Sequence, residues 1–290
     1  MELIFSTLIN GLSLGGIYAM IALGYTMVYG IAKLLNFAHG DIIMVGGYTI
    51  YVCMATGNPL LAVAAAVVGC MILGICIEKV AYKPLRGASP LAVLITAIGV
   101  SNLLQSLAQI FFGSAPKMVT VYDFGVIKLL GATVQVSSLV TLVVAFAVMT
   151  GLTLFVKFTR IGRAMIAVSE DRSAAQLMGI NVNSIITITF AIGSALAALA
   201  GLFYLLKAPS VSSTLGAMPG IKAFTAAVIG GIGSIPGAML GGILLGMIES
   251  ISYKITAIAP YTDAIEFSIL IIILLVRPTG FLGKKRREKV

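Results

Sequence analysis

Long uncharged apolar segments constrain this chain more than any other feature. The stretch from Ser138 to Val156 contains no charged residue and is apolar on every side of a helix. About 20 such residues cross the hydrocarbon core of a bilayer as a helix. Strands of a membrane β-barrel alternate apolar and polar residues, and this stretch does not. We therefore expect an all-α, polytopic transmembrane helical bundle.

Composition excludes a soluble globular domain. Hydrophobic residues make up 59% of the chain and charged residues only 10%, against about 25% charged residues in soluble proteins. The net charge of +9 does not indicate a nucleic-acid partner, because the basic residues cluster between apolar segments. Such clusters are typical of cytoplasmic loops. The terminal Lys284–Lys289 run favours contact with anionic membrane lipid.

The apolar segments predict one transmembrane domain over residues 1–290. Seven segments are clear spans: Leu3–Val28, Leu60–Ile77, Leu91–Phe112, Ser138–Val156, Ile185–Leu206, Gly237–Ser252 and Ala264–Val276. An extracytoplasmic loop is expected at about 113–136, where "MVTVYDFGVI" is rich in β-formers and predicts a small hairpin. No Lys or Arg precedes Lys33. This favours a retained first helix with its N-terminus outside, and a cytoplasmic C-terminus.

Two further apolar segments are too short to cross alone. Ile42–Ala55, as a helix, rises only about 21 Å, whereas the hydrocarbon core is about 30 Å thick. To cross, this segment must also include Asn36–Asp41. Lys222–Ser234 is short and interrupted by glycines. If the charged loops and the C-terminus are both cytoplasmic, this second segment must also cross. The count is then nine passes, or eight if the segment is re-entrant.

Short, glycine-interrupted segments in both halves of a membrane protein point to a transport path. Non-helical backbone at membrane depth is tolerated where protein or a cavity surrounds it. An alternative is that these interruptions only let helices pack. The path candidates are Asn36, Phe37, His39, Gly40, Asp41, Gly230, Gly231 and Gly233.

Small residues recur at helix-packing spacing. Gly11, Gly15 and Ala19 share one face of the first span, and Gly242 and Gly246 share one face of a late span. Such faces let helices approach closely. We expect a dense bundle that also packs against a partner subunit.

Catalytic and metal sites are disfavoured. The chain has one histidine, His39, and no nucleotide-binding or zinc motif. His39 and Asp41 are two residues apart, which on a helix does not bring them together. Two interpretations of Asp41 stay open: it caps the following helix, or it belongs to a proton site. A proton relay would need further partners, but acids within the spans are few, and Glu249 and Glu266 both lie near the outer ends of their helices.

The segment Gly162–Val182 is a charged island among apolar spans, within a cytoplasmic loop at about 158–183. Its stretch "EDRSAAQLMG" predicts a short helix, with acidic residues at the start and Gly179 at the end. Ala174, Leu177 and Met178 fall on one face. A helix lying on the membrane surface is the alternative, but its acidic residues would be poorly placed against anionic lipid. The pattern favours a docking helix for a cytoplasmic protein.

The island "EDRSAAQLMGINV" resembles the cytoplasmic loop of ABC-importer permeases, whose Glu-Ala-Ala…Gly pattern forms a coupling helix. Three further stretches narrow the resemblance: "LNFAHGDIIMVGGY", "AFTAAVIGGIGSIPGAMLGGILLG" and "LLVRPTGFLGKK". Together they resemble the branched-chain amino-acid permease family over essentially the whole chain. Ser173 departs from the general importer pattern by separating Glu170 from Ala174–Ala175.

The resemblance implies a heteromeric importer in the bacterial inner membrane. The implied partners are a second, homologous permease, two cytoplasmic ATPase subunits and an extracytoplasmic substrate-binding protein that delivers leucine, isoleucine or valine. ATP and Mg would be used by the ATPases, and this chain would bind no cofactor. Similar permeases carry urea, short amides or other amino acids, so the residues leave the substrate open.

The implied ATPase-coupling residues are Glu170, Asp171, Arg172, Ala174, Ala175, Leu177, Met178 and Gly179. A stand-alone secondary transporter or channel is the competing class. The docking helix separates the two, because a self-sufficient carrier needs none. A membrane enzyme is disfavoured by the lack of a nucleophile–base or metal constellation.

Cysteine labelling checks the predicted orientation. A cysteine placed within Gly113–Gln135 is expected to react with an impermeant thiol reagent from outside the cell, and one beside Arg86 or Arg172 only from the cytoplasm, because Lys and Arg concentrate on that side. A residue of the 113–135 loop that reacts only from the cytoplasm contradicts the scheme.

Overall fold

The computed structural model describes residues 2–122, 124–129 and 132–283. Within these residues, seven helices are long and apolar enough to cross a membrane, and all seven predicted spans are confirmed. They are α1 (Glu2–Ala32), α3 (Pro59–Ile77), α4 (Pro90–Phe112), α5 (Val136–Phe158), α8 (Val182–Lys207), α10 (Ile235–Lys254) and α11 (Thr262–Val276). The 3-10 turn Ala259–Tyr261 precedes α11 and brings that span to 18 residues. A π turn and a 3-10 turn extend α3 to Leu85.

Four shorter helices and four short strands complete the described fold. The helices are α2 (His39–Met54), α6 (Arg160–Glu170), α7 (Arg172–Leu177) and α9 (Ala217–Gly230). The strands are β1 (Lys117–Met118), β2 (Val126–Leu129), β3 (Ala132–Gln135) and β4 (Ser210–Val211). The loop does contain a hairpin, β2–β3, but it lies at Val126–Gln135 and shares only Val126 and Ile127 with the stretch predicted to form it. At the start of that stretch, Met118 belongs to β1, which pairs with β4.

The centre of the bundle is the antiparallel pair α1 and α10, with α8 beside it. Gly15 of α1 faces Gly242 and Ile243 of α10 so closely that a Cβ there would lie 2.7 Å from the Ile243 Cα. A Cβ on Gly246 would overlap the Gly15 backbone. The predicted small-residue faces are therefore the surfaces through which these two helices pack. The outer helices α3, α4, α5 and α11 are much less buried within the chain.

The two ends of the bundle are distinguished by their contacts. The hairpin end carries β2–β3 and the first turns of α1, where Asn10 accepts hydrogen bonds from Ser138 and Lys207. The island end carries α6, α7 and the last turn of α1, which Arg172 contacts. Arg86 bonds Asn183 at the start of α8 and also lies at the island end. Met1 and Lys284–Lys289 lie outside the described residues.

Both short segments begin with non-helical backbone and continue as a helix. After α1, the chain turns back and α2 begins at His39, which contacts Gly24. Gly24 lies eight residues before the end of α1, about 12 Å from the island end at 1.5 Å per residue. The second segment descends from the hairpin end through 208–216 and becomes helical only at Ala217. Among the described residues, nine segments run between the two ends of the bundle when both short segments are counted. That all nine cross the membrane stays a prediction, with eight passes as the alternative if the second short segment is re-entrant.

Candidate functional site

The island is two helices rather than the single one expected. Thr159 caps α6 by accepting the Gly162 N–H at 2.9 Å. At Asp171 the backbone becomes extended, with φ −151° and ψ 113°. The Asp171 carboxylate then accepts the N–H groups of Ser173 and Ala174 at 2.9 and 3.0 Å. Glu170 therefore ends α6, and Asp171 alone opens α7, because its cap satisfies the first free N–H groups of α7.

The exposed face of α7 matches the predicted one. Leu177 is 89% exposed and Met178 is 82% exposed, and Ala174 beside them is exposed as well. Ala175 differs, since it is only 4% exposed and belongs to the chain's own core. Gly179 ends the helix with φ +82°, a left-handed conformation that favours glycine. Adjacent large apolar side chains that are nearly fully exposed make this face a candidate contact surface for lipid or for a partner protein.

Arg172 fastens α7 to the central helix instead of lying on an exposed rim. Its guanidinium donates to the backbone oxygens of Ile31, at 3.2 Å, and Ala32, which are the last residues of α1. Positive charge at a helix C-terminus is stabilised by the helix dipole and the free carbonyls. Burial and the neighbouring Arg86 lower the pKa of Arg172, but an arginine stays charged at neutral pH. A displacement of α7 would thus pull directly on α1.

A second polar contact, which sequence reasoning missed, joins α3 to α8 nearby. Glu78 is fully buried, pairs with Arg86 and accepts a hydrogen bond from Thr187 at 2.8 Å. Arg86 also bonds Asn183. Asn183 lies 97 residues from Arg86 and Thr187 lies 109 residues from Glu78, so no spacing pattern could reveal the contact with α8.

The interrupted start of α2 carries three buried polar side chains. Asn36, His39 and Asp41 are all less than 4% exposed. The Asn36 Oδ1 accepts from the Tyr82 hydroxyl at 2.8 Å, and the Asp41 carboxylate accepts from Gln105 at 2.9 Å. The expectation that Asp41 caps α2 is wrong, since Ala38 is the cap residue and no side chain caps the helix. The carboxylate points to α4 instead.

Two polar nitrogen atoms at this point have no hydrogen-bond partner. The Asn36 Nδ2 and the His39 Nε2 are buried and have no hydrogen-bond partner among the described residues. Buried polar groups are nearly always paired, so each exception needs an explanation. Asn36 also lines a crevice with Tyr25, Tyr29 and Phe224 that has no room for a water molecule.

The N-terminal ends of the two half-helices α2 and α9 meet here. A Cβ on Gly40 would lie 2.5 Å from the Gly216 oxygen, and one on Gly220 would lie 3.0 Å from the Gly40 Cα. Around this contact, the Phe224 ring lies 5.4 Å from that of Phe37 and 5.8 Å from that of Tyr25. We call Asn36–Asp41 with Gly216–Gly220 the broken-helix junction. In this structure the junction is closed.

The glycines Gly230, Gly231 and Gly233 form the turn from α9 to α10 at the island end. The segment 277–283, which follows α11, covers this turn: Phe281 and Leu282 donate their N–H groups to the oxygens of Ile229 and Gly230, both at 2.9 Å. The Gly231 N–H donates to the oxygens of Ala227 and Val228, so the last four carbonyls of α9 all have hydrogen-bond partners. Assignment of these glycines to the permeation path stays a prediction. In the structure Gly230 and Gly231 contact the 277–283 segment, whereas Gly233 lies near Gly30 of α1.

An ionic cluster inside the bundle was also missed. The Lys222 ammonium of α9 lies 2.8 Å from Asp263, 3.1 Å from Glu249 and 3.2 Å from Glu266. Sequence reasoning noted both glutamates as isolated acids near helix ends. Because the cluster is assembled from three helices, no sequence spacing links its members.

Comparison with known proteins shows the family to which this chain belongs. A profile of the family described as "Branched-chain amino acid transport system / permease component" matches residues 7–274. The chain belongs to this family. The permease is 44% identical to the high-affinity branched-chain amino acid transport system permease protein BraD of Pseudomonas aeruginosa, over 98% of this chain and 97% of BraD.

A second relative and one solved structure agree. The permease is 42% identical to the permease protein LivH of Escherichia coli (strain K12), over 97% of this chain and 96% of LivH. Its fold resembles an inward-facing ABC transporter of the metal-chelate type, with a TM-score of 0.53 and 13% identity over 95% of this chain and 88% of that one. That likeness concerns the fold alone, and it confirms the expected ABC-permease bundle.

Substitution of Gly231 tests what the glycine turn does. In Gly231→Leu, the new Cβ would overlap the Gly283 nitrogen, and φ at this position is +108°. We expect displacement of the 277–283 segment and loss of two buried hydrogen bonds, hence a lower yield of intact permease after detergent extraction and a lower Tm.

Gly57→Leu is the matched control, because φ is +73° there and nothing lies within 4 Å of the new Cβ. It carries the left-handed strain, about 1–2 kcal/mol, without the overlap. If Gly231→Leu yields as much intact protein as Gly57→Leu but fails to transport, the glycine serves the path instead.

Proposed function

We propose that this permease is the transmembrane subunit of an ATP-driven importer that moves branched-chain amino acids, or a related small amino acid or amide, inward across the bacterial inner membrane. Family membership and the names of its relatives support the transport class. The observation that carries the proposal is the exposed apolar face of α7, joined to the central helix α1 through Arg172.

The proposed assembly follows from what this chain supplies. It would pair with a second, homologous permease, while two ATPases beneath the island end would bind ATP and Mg. A substrate-binding protein would deliver solute at the hairpin end. This arrangement requires the island to be cytoplasmic and the hairpin extracytoplasmic, as the distribution of Lys and Arg favours.

Docking of α7 in an ATPase groove suits its side chains. Leu177 and Met178 would be buried on docking, with Ala174 allowing close approach and Glu170 and Asp171 at the edge of the contact. A lipid surface is a poorer occupant, because it would place these carboxylates against anionic headgroups. Ala175 and Arg172 face inward. They would transmit the motion of the ATPase to α1 instead of contacting the ATPase.

The broken-helix junction is the proposed passage for solute. The N-terminal ends of α2 and α9 carry partial positive charge, which suits the carboxylate of an amino acid at membrane depth. The Asn36 Nδ2 and the His39 Nε2, which have no hydrogen-bond partner in the closed junction, lie at the same point. When α2 and α9 separate, these groups would line the path and interact with the passing solute.

Docking is tested by placing a charge on the exposed face of α7. Ala174→Arg is expected to reduce co-purification of the ATPases and ATP-driven uptake in the reconstituted complex. An unpaired charge at a desolvated interface costs roughly 2–5 kcal/mol. The control Glu170→Gln is expected to change little, because exposed ion pairs contribute about 0–1 kcal/mol. Wild-type uptake and normal co-purification of Ala174→Arg would show that α7 is only a surface helix.

Accessibility during turnover tests the passage. In a permease with Cys53 and Cys76 replaced by alanine, a cysteine at Asn36 is expected to react with a small hydrophilic thiol reagent only when ATP and binding protein are present. Asn36 is buried in the closed junction and becomes exposed only when the junction opens. The buried Cys70, which contacts the Ile42 backbone, is the internal control and stays unreactive. Equal labelling of Asn36→Cys with and without ATP argues against a gated path at this residue.

A further inference from the structure

The ionic cluster of Lys222, Glu249, Asp263 and Glu266 lies inside the bundle, toward the hairpin end. Lys222 and Glu249 expose only 6% and 8% of their side chains, Glu266 none, and Asp263 about half, at 49%. The Tyr18 hydroxyl of α1 donates to the Glu249 carboxylate at 2.7 Å. Ionisable residues at membrane depth are costly and usually serve function.

The cluster holds α9 firmly. One ammonium faces three carboxyl groups that come from two other helices. Removing a partner from a buried ion pair is strongly destabilising, because it leaves an uncompensated charge in a medium of low dielectric constant. Lys222 therefore cannot leave this cluster at low cost. Since Glu249 belongs to α10 and the two other acids to α11, α9 cannot slide or tilt independently of those helices.

The opposite side of α9 has contacts of another kind. Gly216 and Gly220 lie against Gly40 of α2, and Phe224 packs on Phe37. These are van der Waals contacts, which can separate and re-form without leaving a charge unpaired. The junction is thus asymmetric, with an ionic attachment to α10 and α11 and an apolar contact with α2.

We propose that Lys222 is a positioning residue for transport: it fixes the N-terminal half of α9 to α10 and α11, so that the path opens by separation of α2 from α9 at Gly40. The inference rests on the proposed function and adds which side of the junction moves. In this arrangement α9 stays with α10 and α11 throughout the cycle. If α9 is no longer held by the cluster, less solute is transported per ATP hydrolysed, while hydrolysis itself continues.

The test compares uptake per ATP hydrolysed in the full reconstituted complex. The variant Lys222→Met, Glu249→Gln, Glu266→Gln removes the ammonium and the two buried carboxylates together, and leaves Asp263 half exposed to water. It removes the buried charges of the cluster together, so none of them is left inside the bundle without its partner, and we expect the variant to assemble. Uptake per ATP is expected to fall about tenfold, the size of change that altered coupling networks produce, while binding-protein-stimulated ATPase activity persists.

Two further variants complete the test. Lys222→Arg keeps the charge and alters the geometry, so it is expected to assemble and to lower uptake per ATP severalfold; it decides the question if the triple variant does not assemble. Lys254→Met, at an exposed position of α10, is the control and keeps wild-type uptake per ATP.

Wild-type uptake per ATP in the assembled triple variant, or in Lys222→Arg if only that assembles, overturns the proposal and leaves the cluster a purely stabilising role. Uptake and ATPase activity that fall together, with their ratio unchanged, overturn it as well. Failure of the proposed function is distinguishable, because the wild-type complex itself would then show no ATP-driven uptake.

Discussion

Hydrocarbon offers no hydrogen-bond partner to a peptide group, so every interruption of a helix in this permease has to be covered by protein. The rest of the structure follows from how two interruptions are covered. At the island end of α9, the 277–283 segment supplies N–H groups to the last carbonyls of that helix. At the start of α2, the backbone of α9 and the side chains of α1 and α4 surround the chain. Interrupted helices persist here only because a dense bundle encloses them.

That density depends on small residues at the helix contacts. Gly15 and Gly246 bring α1 and α10 into backbone contact, and Gly40 with Gly216 does the same at the broken-helix junction. The two contacts differ in what surrounds them. The α1–α10 contact is central and extended, whereas the junction joins two helix ends through glycines and aromatic rings. Separation at the junction therefore disrupts far less packing than separation of the central pair, which makes it the natural place for a path.

Two charged side chains link helices that apolar packing alone would leave free to slide past each other. Arg172 attaches the short helix α7 to the end of α1, and Lys222 attaches α9 to α10 and α11. The first attachment lies at the island end and the second inside the bundle. Together they connect the exposed face of α7 to the half-helix beside the junction, through α1 and α10, whose backbones are in close contact.

The sequence by itself determined the class of structure: seven spans, two segments too short to cross as helices, a charged island with one apolar face, and motifs similar to those of a permease family. These features are local, because span length, helical periodicity and charge placement are written in neighbouring residues. Only the tertiary structure decided that Asp41 bonds Gln105 instead of capping α2, that Ala175 and Arg172 face inward, and that Lys222 meets three acids. Those contacts join residues far apart in the chain, and the packing of whole helices, which no short pattern encodes, sets which of them meet.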